Sequence, residues 1–547
     1  MGNTIGAGHG GTLPVTAEAF CEARLGAAGE DWIHCQGPPR SGLVTADIDE
    51  EDLPLRHSIL IPLFLVPCLS AGAHRAPDVD QPGQRPNILF LFADDQRPDT
   101  IGALGNESIQ TPNLDRLVAN GVSFTSNHCM GSMGGAVCLP SRAMVMSGRS
   151  LHRVKTDLSG VITLGEALAG GGYQTFGTGK WHNGRDSFER GFQSGKAVMF
   201  GGMSDHNRVP LQDLKADGTG FTEKRVGQGH SSDIFGEAAV EFLEGYGASD
   251  RDRPFFAYVA FTAPHDPRDP PARWREVYAQ NTPPLPENFL PQHPWTFNLG
   301  TLVIRDEVLT GWPREPEVIR DQLGEYYGLI SHVDEQVGRI LDTLERLKLT
   351  ENTLVVYSAD HGLAMGSHGL LGKQNLYEHS MGCPLILSGP GLPAGKVREE
   401  LTYLFDIYPT LCEVAGVQVE QAVEGRSFLG LAKGQPGNAR QSLFTVYHHS
   451  QLAVRDERWK LIRFPAIDVT LLFDLQADPD EIHDLAGDPQ NAATLDRMRG
   501  LLSAGQAQYG DETSWTADKL GPKHVDLTGH ARKADRHQPA WIVKKYF

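Results

Sequence analysis

The sequence predicts an α/β fold, with a mostly parallel central sheet flanked by helices and a smaller C-terminal antiparallel-sheet subdomain. Three observations carry that expectation. Between residues 86 and 440, strand-like runs alternate with helical stretches, the pattern of a layered α/β domain. The first run, Pro86-Asn-Ile-Leu-Phe-Leu-Phe-Ala-Asp94-Asp95, is continuously apolar before its acidic end, as suits a strand covered on both faces. After about residue 440 the runs shorten and turns separate them, which suits antiparallel pairing.

Taken in order, residues 1–53 are rich in Gly, Ala, Asp and Glu with no sustained period. Arg56-His57 then precedes the apolar run Ser58–Leu69 and Ser70-Ala71-Gly72-Ala73. A basic flank, an apolar stretch of secretory length and an A-x-A site predict a signal peptide cut after Ala73, hence an exported protein, periplasmic or secreted. The run falls short of the roughly 20 residues a spanning helix needs, so no membrane span is expected. Thr111 reads as the N-cap of a helix with Pro112 at its first position and Gly121 as its stop. Tyr173–Phe176, Phe255–Phe261, Thr353–Ser358 and Pro384–Leu387 read as strands, and Arg320–Leu347 as a long helix. The Pro-rich stretch 281–316 reads as a surface excursion that could shape a substrate entrance. Leu443–Val446, Leu452–Arg455, Lys460–Phe464 and Leu471–Leu475 supply the C-terminal strands. The division that follows is 1–73 extension and signal peptide, 86–440 catalytic domain, and 441–547 C-terminal subdomain and tail.

Composition narrows the function. Hydrophobic residues at 40% and charged residues at 21% are ordinary globular values and exclude a disordered or fibrous chain. The net charge of −19 argues against nucleic acid or an anionic membrane as partner. It does not exclude an anionic substrate, because a few buried bases can make one pocket positive. Seven cysteines stand at 21, 35, 68, 129, 138, 383 and 412, none in a C-x-x-C metal pattern.

The candidate chemistry sits at strand ends. In open α/β sheets ligands bind beyond the carboxyl ends of the strands, and Asp94-Asp95, His265 and Asp360-His361 each follow a predicted strand. Hard oxygen ligands from distant segments suit Ca²⁺, with Mg²⁺ second and Zn²⁺ third because a zinc site holds more His or Cys. In Cys138-Leu-Pro140-Ser141-Arg142, Pro140 and the helix formers after it place Cys138 at a helix N-terminus, where the dipole favours an anion. Gly179-Lys180-Trp-His182, Ala-Pro-His265 and Gly-Lys373-Gln add basic groups.

Together these motifs resemble the formylglycine-dependent sulfatases of the alkaline-phosphatase superfamily, the exported arylsulfatase and choline-sulfatase type among them. The resemblance runs from about Pro86 to Pro489 and includes Cys-x-Pro-Ser-Arg, Ser358-Ala-Asp-His-Gly362 and Ala453–Ile462. Ser147-Gly148-Arg149 stands where Thr-Gly-Arg is usual, and His361 where some members carry Asn. The resemblance implies that a maturation enzyme oxidises Cys138 to formylglycine. Its hydrate would attack the sulfur, and a second hydroxyl would expel sulfate by elimination. It further implies that Asp94, Asp95, Asp360 and His361 hold the cation with residue 138, and that Arg142 and Lys180 hold the nucleophile's charge. His182 would be the base, while His265 and Lys373 would bind sulfate and protonate the leaving oxygen. The substrate expected is a sulfated glycan or small molecule, as in sulfated-polysaccharide degradation, with choline and aryl sulfates as alternatives. A phosphatase or phosphonate monoester hydrolase on the same scaffold is the nearest rival, and a noncatalytic binder of sulfated glycans a second. A cysteine hydrolase is remote, because no partner histidine for a Cys138 thiolate shows in the sequence. His206, Arg208, Trp295, Trp312 and His448-His449 are candidates for a sugar subsite.

Overall fold

Every residue of the first strand, Asn87–Asp94, is buried, and its pleat divides the side chains between two cores. Ile88, Phe90 and Phe92 enter one core with Met144 and Tyr258, whereas Leu89, Leu91 and Ala93 enter the other with Phe235, Val259 and Val333. A run apolar at every position is what a strand covered on both faces requires. The computed structural model describes residues 85–249, 252–296, 299–419, 421–437 and 439–547. The N-terminal extension, the expected signal peptide and Cys21, Cys35 and Cys68 lie outside the described residues.

The elements that position the site are, in chain order, β1 (Asn87–Asp94), α1 (Pro112–Ala119), β2 (Val122–Phe124), β3 (Gly131–Ser132), α2 (Cys138–Ser147), β4 (Gln174–Lys180), β5 (Ser194–Met199), α3 (Ser231–Gly247), β6 (Phe255–Pro264), α4 (Pro316–Arg346), β7 (Thr353–Ala359), β8 (Leu385–Ser388), β9 (Lys396–Arg398), β10 (Leu443–Tyr447), β11 (Gln451–Arg455), β12 (Trp459–Phe464), β13 (Val469–Asp474), α5 (Ala492–Tyr509) and α6 (Ala540–Tyr546). The central sheet has eight strands in the order β9-β2-β8-β7-β1-β6-β4-β5. Its core is parallel: β1 pairs with β7 and β6, and β4 with β6 and β5. Only β8 runs against its neighbours. The predicted mostly parallel sheet is therefore present, and α3 and α4 cover one of its faces through the second core.

Register sets the site. Asn87 lies opposite Thr353 and Ala93 opposite Ala359, so Asp94 and Asp360 leave their strands side by side. Asp94 also lies opposite Pro264, one residue before His265. In β4, the register shifts between Gly177 and Gly179. Gly179 has φ +88°, and a Cβ there would sit 1.8 Å from the Ala260 carbonyl oxygen. Only glycine lets the strand approach β6 this closely while delivering Lys180 to the same edge.

Helix α1 begins at Pro112 as predicted, but the Thr111 hydroxyl does not cap it. It accepts from the Gly102 N–H instead (2.8 Å), and Asp334 of α4 takes the free N–H groups of Asn113 (3.1 Å) and Leu114 (2.7 Å). A tertiary carboxylate has replaced the local cap. The smaller sheet has the order β13-β12-β11-β10-β3, antiparallel except where β3 joins β10 in parallel. Thus the segment just ahead of Cys138 completes the C-terminal sheet.

The last stretch of chain returns to the catalytic side. Lys523 O accepts from Thr296 N (2.8 Å), Gln292 Oε1 accepts from Leu527 N (3.0 Å), Trp312 O accepts from Gly529 N (3.2 Å) and Val308 O accepts from Lys533 N (3.0 Å). The Pro-rich excursion is therefore roofed by the tail, which its composition did not reveal. Cys129, Cys138, Cys383 and Cys412 are buried and free. Among the described residues, no helix is long and apolar enough to cross a membrane.

Candidate active site

The short loop from β3 ends where α2 starts, so Cys138 occupies the helix's first turn and is 3% exposed. Two contacts bolt that turn to the sheet edge: the Ser141 hydroxyl donates to Asp360 O (2.6 Å), and Arg142 Nε donates to Asp360 Oδ2 (3.0 Å). Arg142 also reaches Lys180 O (2.8 Å) and lies 3.5 Å from Asp94. Lys180 Nζ donates to Asp94 Oδ2 at 2.5 Å. Ligand atoms of Asp94, Cys138, Asp360 and His361 then lie within 4.8 Å of one another, all buried.

That cluster fits a cation. His361 Nδ1 donates to Gly362 O (2.9 Å), which leaves Nε2 as a lone-pair donor facing the cluster. His361 Nε2 and Asp94 Oδ1 are buried without a hydrogen-bond partner in the protein, the state a metal ligand would show before its ion is added. Two carboxylates and one imidazole form a donor set that a hard divalent ion accepts, and the thiol at 138 is the soft exception. Asp95 belongs to the rim of this group. Its carboxylate lies 3.3 Å from His361 Nε2 but is held by Lys373 Nζ at 2.9 and 2.8 Å. Burial raises the Asp95 carboxyl, with Lys373 opposing it. Burial works against the Lys373 ammonium as well, but Asp95 and Asp306 keep it charged. Burial likewise opposes ionisation of Asp360, yet the charges of Arg142 and Lys180 help hold its carboxyl well below the usual carboxylate range. Three acids thus face three bases. A divalent ion would make this pocket net positive, and an anionic substrate would offset it.

One histidine adjoins the thiol and a second lies beside Asp95. His182 Nδ1 lies 3.5 Å from Cys138 Sγ. This is the thiol's partner histidine that the sequence did not show, 44 residues along the chain. Burial, Lys180 and Arg142 push its imidazole down to about 3, so it is a neutral base at working pH. Asp95 (φ +68°) and His182 (φ +71°) both hold left-handed backbone, a strain of about 1–2 kcal/mol per residue that such sites store. His265 follows β6, with Nε2 3.8 Å from Asp95 and Nδ1 donating to Asp266 O (2.8 Å). Burial and then Lys373 lower its imidazole well below the ordinary value. All ten sequence-derived site residues therefore meet at one sheet edge.

A cavity of about 280 Å³ opens onto this edge, lined by Gly135, Ala136, Cys138, His182, Gly202, Met203, His265, Ile304, Arg305, Asp306, Lys373 and Gln374. The sugar-subsite candidates are not among them. His206 is 1% exposed and spends its Nε2 on His265 O (2.9 Å), supporting that histidine from behind. Trp312 is buried against Arg314 and His530 beneath the tail, and Trp295 stacks on His524. Sequence reading missed Ile304, Arg305 and Asp306, which come from the excursion. It also missed Glu307, whose buried carboxylate pairs with Arg314 and accepts the N–H groups of Leu371 (2.9 Å) and Gly372 (2.7 Å), so it fixes the backbone just before Lys373. The only signal was the excursion's length; no strand precedes these residues to aim them.

Comparison with known proteins bears on the same residues. The Sulfatase family model matches residues 86–417, more than half of the chain, and the model for the C-terminal part of N-sulphoglucosamine sulphohydrolase matches 366–508. The chain is 26% identical to N-acetylglucosamine-6-O-sulfatase of Bacteroides thetaiotaomicron over 83% of its own length and 91% of the relative's. It is 28% identical to a sulfatase of Formosa agariphila over 82% and 92% of the two lengths. A solved structure of a protein in complex with its substrate D-glucosamine-2-N,6-O-disulfate superposes with TM-score 0.65 at 25% identity, covering 78% of this chain and 99% of the other.

Proposed function

Because this chain belongs to the sulfatase family and is a sulfuric ester hydrolase, we propose that it removes sulfate from a sulfated glycan through a formylglycine made from Cys138. The observation that carries this reading is the buried clustering of Cys138 with Asp94, Asp360 and His361 at the start of α2. Asp94, Asp95, Asp360 and His361 would hold the cation together with residue 138. Their oxygen-rich set favours Ca²⁺, with Mg²⁺ second. When bound, the ion supplies positive charge that draws the sulfate oxygens and the nucleophile. Formylglycine supplies a hydroxyl nucleophile whose partner hydroxyl allows release by elimination.

The chain's own residues do the rest. Arg142 and Lys180, each locked by an aspartate, stabilise negative charge at residue 138. His182, beside position 138, is the group placed to accept the proton lost on release. Lys373 and His265 line the cavity beside Asp95, where they bind the sulfate; its negative charge, once bound, favours the protonated form of His265, which then protonates the leaving oxygen. The glycan preference is supported by relatives named for glycan sulfates and by a cavity large enough for a single sulfated sugar unit. Domain limits of 86–440 and 441–547 belong to this reading, as does export to the periplasm or medium, which the 56–73 pattern supports. Co-expression with a formylglycine-generating enzyme and mass spectrometry of the peptide spanning residue 138 test it. Conversion lightens that peptide by about 18 Da, and a panel of sulfated oligosaccharides assayed beside phosphate monoesters should release sulfate only. An unmodified cysteine in active enzyme, or faster phosphate release, would refute the proposal.

A further inference from the structure

We propose that the C-terminal tail is a working part of the active-site wall, with Asp535 a positioning residue that acts through Arg305 on the His265–Asp266 segment. The inference rests on the sulfatase reading above and centres on a tail that neither family model reaches, since both end by residue 508.

Arg305 lines the cavity, and its side chain is 31% exposed. A long guanidinium at such a rim has many rotamers, and a single exposed ion pair would hold it weakly. Here it is held by a network. Arg305 Nη1 and Nη2 form a bidentate pair with Asp266 at 2.7 and 2.9 Å, Nη2 also pairs with Asp306, and Asp535 Oδ2 accepts from Nη1 at 2.8 Å. Gln538 Nε2 donates to the same Asp266 carboxylate at 3.1 Å. Bidentate geometry of this kind fixes orientation as well as distance. Asp266 matters because its own carbonyl accepts from His265 Nδ1 at 2.8 Å. Whatever fixes Asp266 therefore fixes the ring that the mechanism needs at the leaving oxygen.

Asp535 can serve this purpose because the tail is itself anchored on both sides of it. Lys533 N donates to Val308 O upstream, and downstream Trp541 Nε1 donates to Asp269 Oδ1 (3.0 Å) while Lys545 pairs with Asp321 (2.6 Å) of α4. The carboxylate is thus delivered by a strap docked on the catalytic side.

The test uses the full-length, formylglycine-bearing enzyme. Asp535→Ala should lower kcat/KM on a sugar sulfate by about tenfold, the cost of one charge-assisted hydrogen bond. It should lower it by no more than about twofold on 4-nitrophenyl sulfate, whose phenolate leaves without a proton. Asp535→Asn keeps an acceptor oxygen and should restore the sugar rate to within about threefold. In an Arg305→Ala background, Asp535→Ala should change nothing further. Equal losses on both substrates, no loss on either, or additive effects in the double variant would each overturn the proposal. Wild-type hydrolysis of either sulfate keeps the sulfatase reading standing whichever way the variants fall.

Discussion

On one side of the cavity, Asp94, Lys180, Cys138 and Asp360 stand at the ends of regular elements whose register is fixed along β1, β4 and β7. On the other side, Ile304, Arg305 and Asp306 stand on an irregular excursion with no sheet beneath them. The first group is placed by backbone ladders and by ion pairs buried to within a few per cent. The second is placed by Glu307, by Arg314 and by a tail that crosses over from the C-terminal sheet. The contrast separates two tasks. In the proposed mechanism, charge that must be preorganised for bond breaking is set on rigid strand ends, where reorganisation is costly. The same reading leaves recognition of the alcohol to loops, where change is tolerated without loss of the fold.

The contrast can be broken by asking whether damage on the strand-end side abolishes chemistry while damage on the loop side only retunes it. Cys138→Ala should reduce sulfate release at least about a thousandfold while Tm moves by no more than about 2 °C. Residual turnover within tenfold of wild type would remove Cys138 from the nucleophile's role. Chelation of the bound ion should cost about a hundredfold in rate, restored by Ca²⁺. It should also lower Tm by about 2–4 °C, because a ligand that binds only the folded state stabilises it. An unchanged Tm in the chelated protein would show that the Asp94–His361 cluster holds no ion. Gly179→Ala places a Cβ 1.8 Å from Ala260 O. It should destabilise the fold by about 2–4 kcal/mol in denaturant unfolding.

Smaller effects sharpen the loop side. Glu325 of α4 anchors Lys545 of the tail (2.8 Å), and burial raises its carboxyl from 4.5 to about 7. A carboxyl whose pKa is higher in the folded state contributes stability that is full below about pH 4.5 and lost as pH rises through about 7. Glu325→Gln should therefore flatten the loss of stability across that window by about 1–2 kcal/mol, followed by urea midpoints at several pH values. An identical pH profile in the variant would remove Glu325 from that balance. Ile304→Ala should raise KM for the best sugar sulfate about threefold to tenfold with kcat held within about twofold. A fall in kcat alone would mean that this wall shapes the chemistry as well.

Much of the strand-end side was legible before any coordinates. The apolar run into Asp94-Asp95, the cysteine ahead of Pro140, and the Asp360-His361 pair after its own strand are local patterns whose physics is local. A continuous apolar run needs cover on both faces, and residues at strand ends project toward one edge. Even the ring of bases was visible, because Lys180 and His265 follow strands in the same way. Thr111 does stand at the N-cap of α1, but no local pattern could show that Asp334, more than two hundred residues along the chain, takes the free N–H groups in place of its hydroxyl. Two of the sugar-subsite candidates fit that role poorly for a related reason: His206 and Trp312 are polar or aromatic by type, yet burial turned both into supports.

The sequence by itself determined the sheet and the helix that carries Cys138, because periodicity and strand-end position are set within a few residues of chain; the other nine residues of the site came from the order and spacing of the motifs that resemble the sulfatases. Only the tertiary structure decided that His182 faces the thiol, that Lys373 reaches Asp95, and that Arg305 and Asp535 share one network. Those partners are separated by 44, 278 and 230 residues, and no local preference encodes which of many similar charges will meet once loops close over a common core.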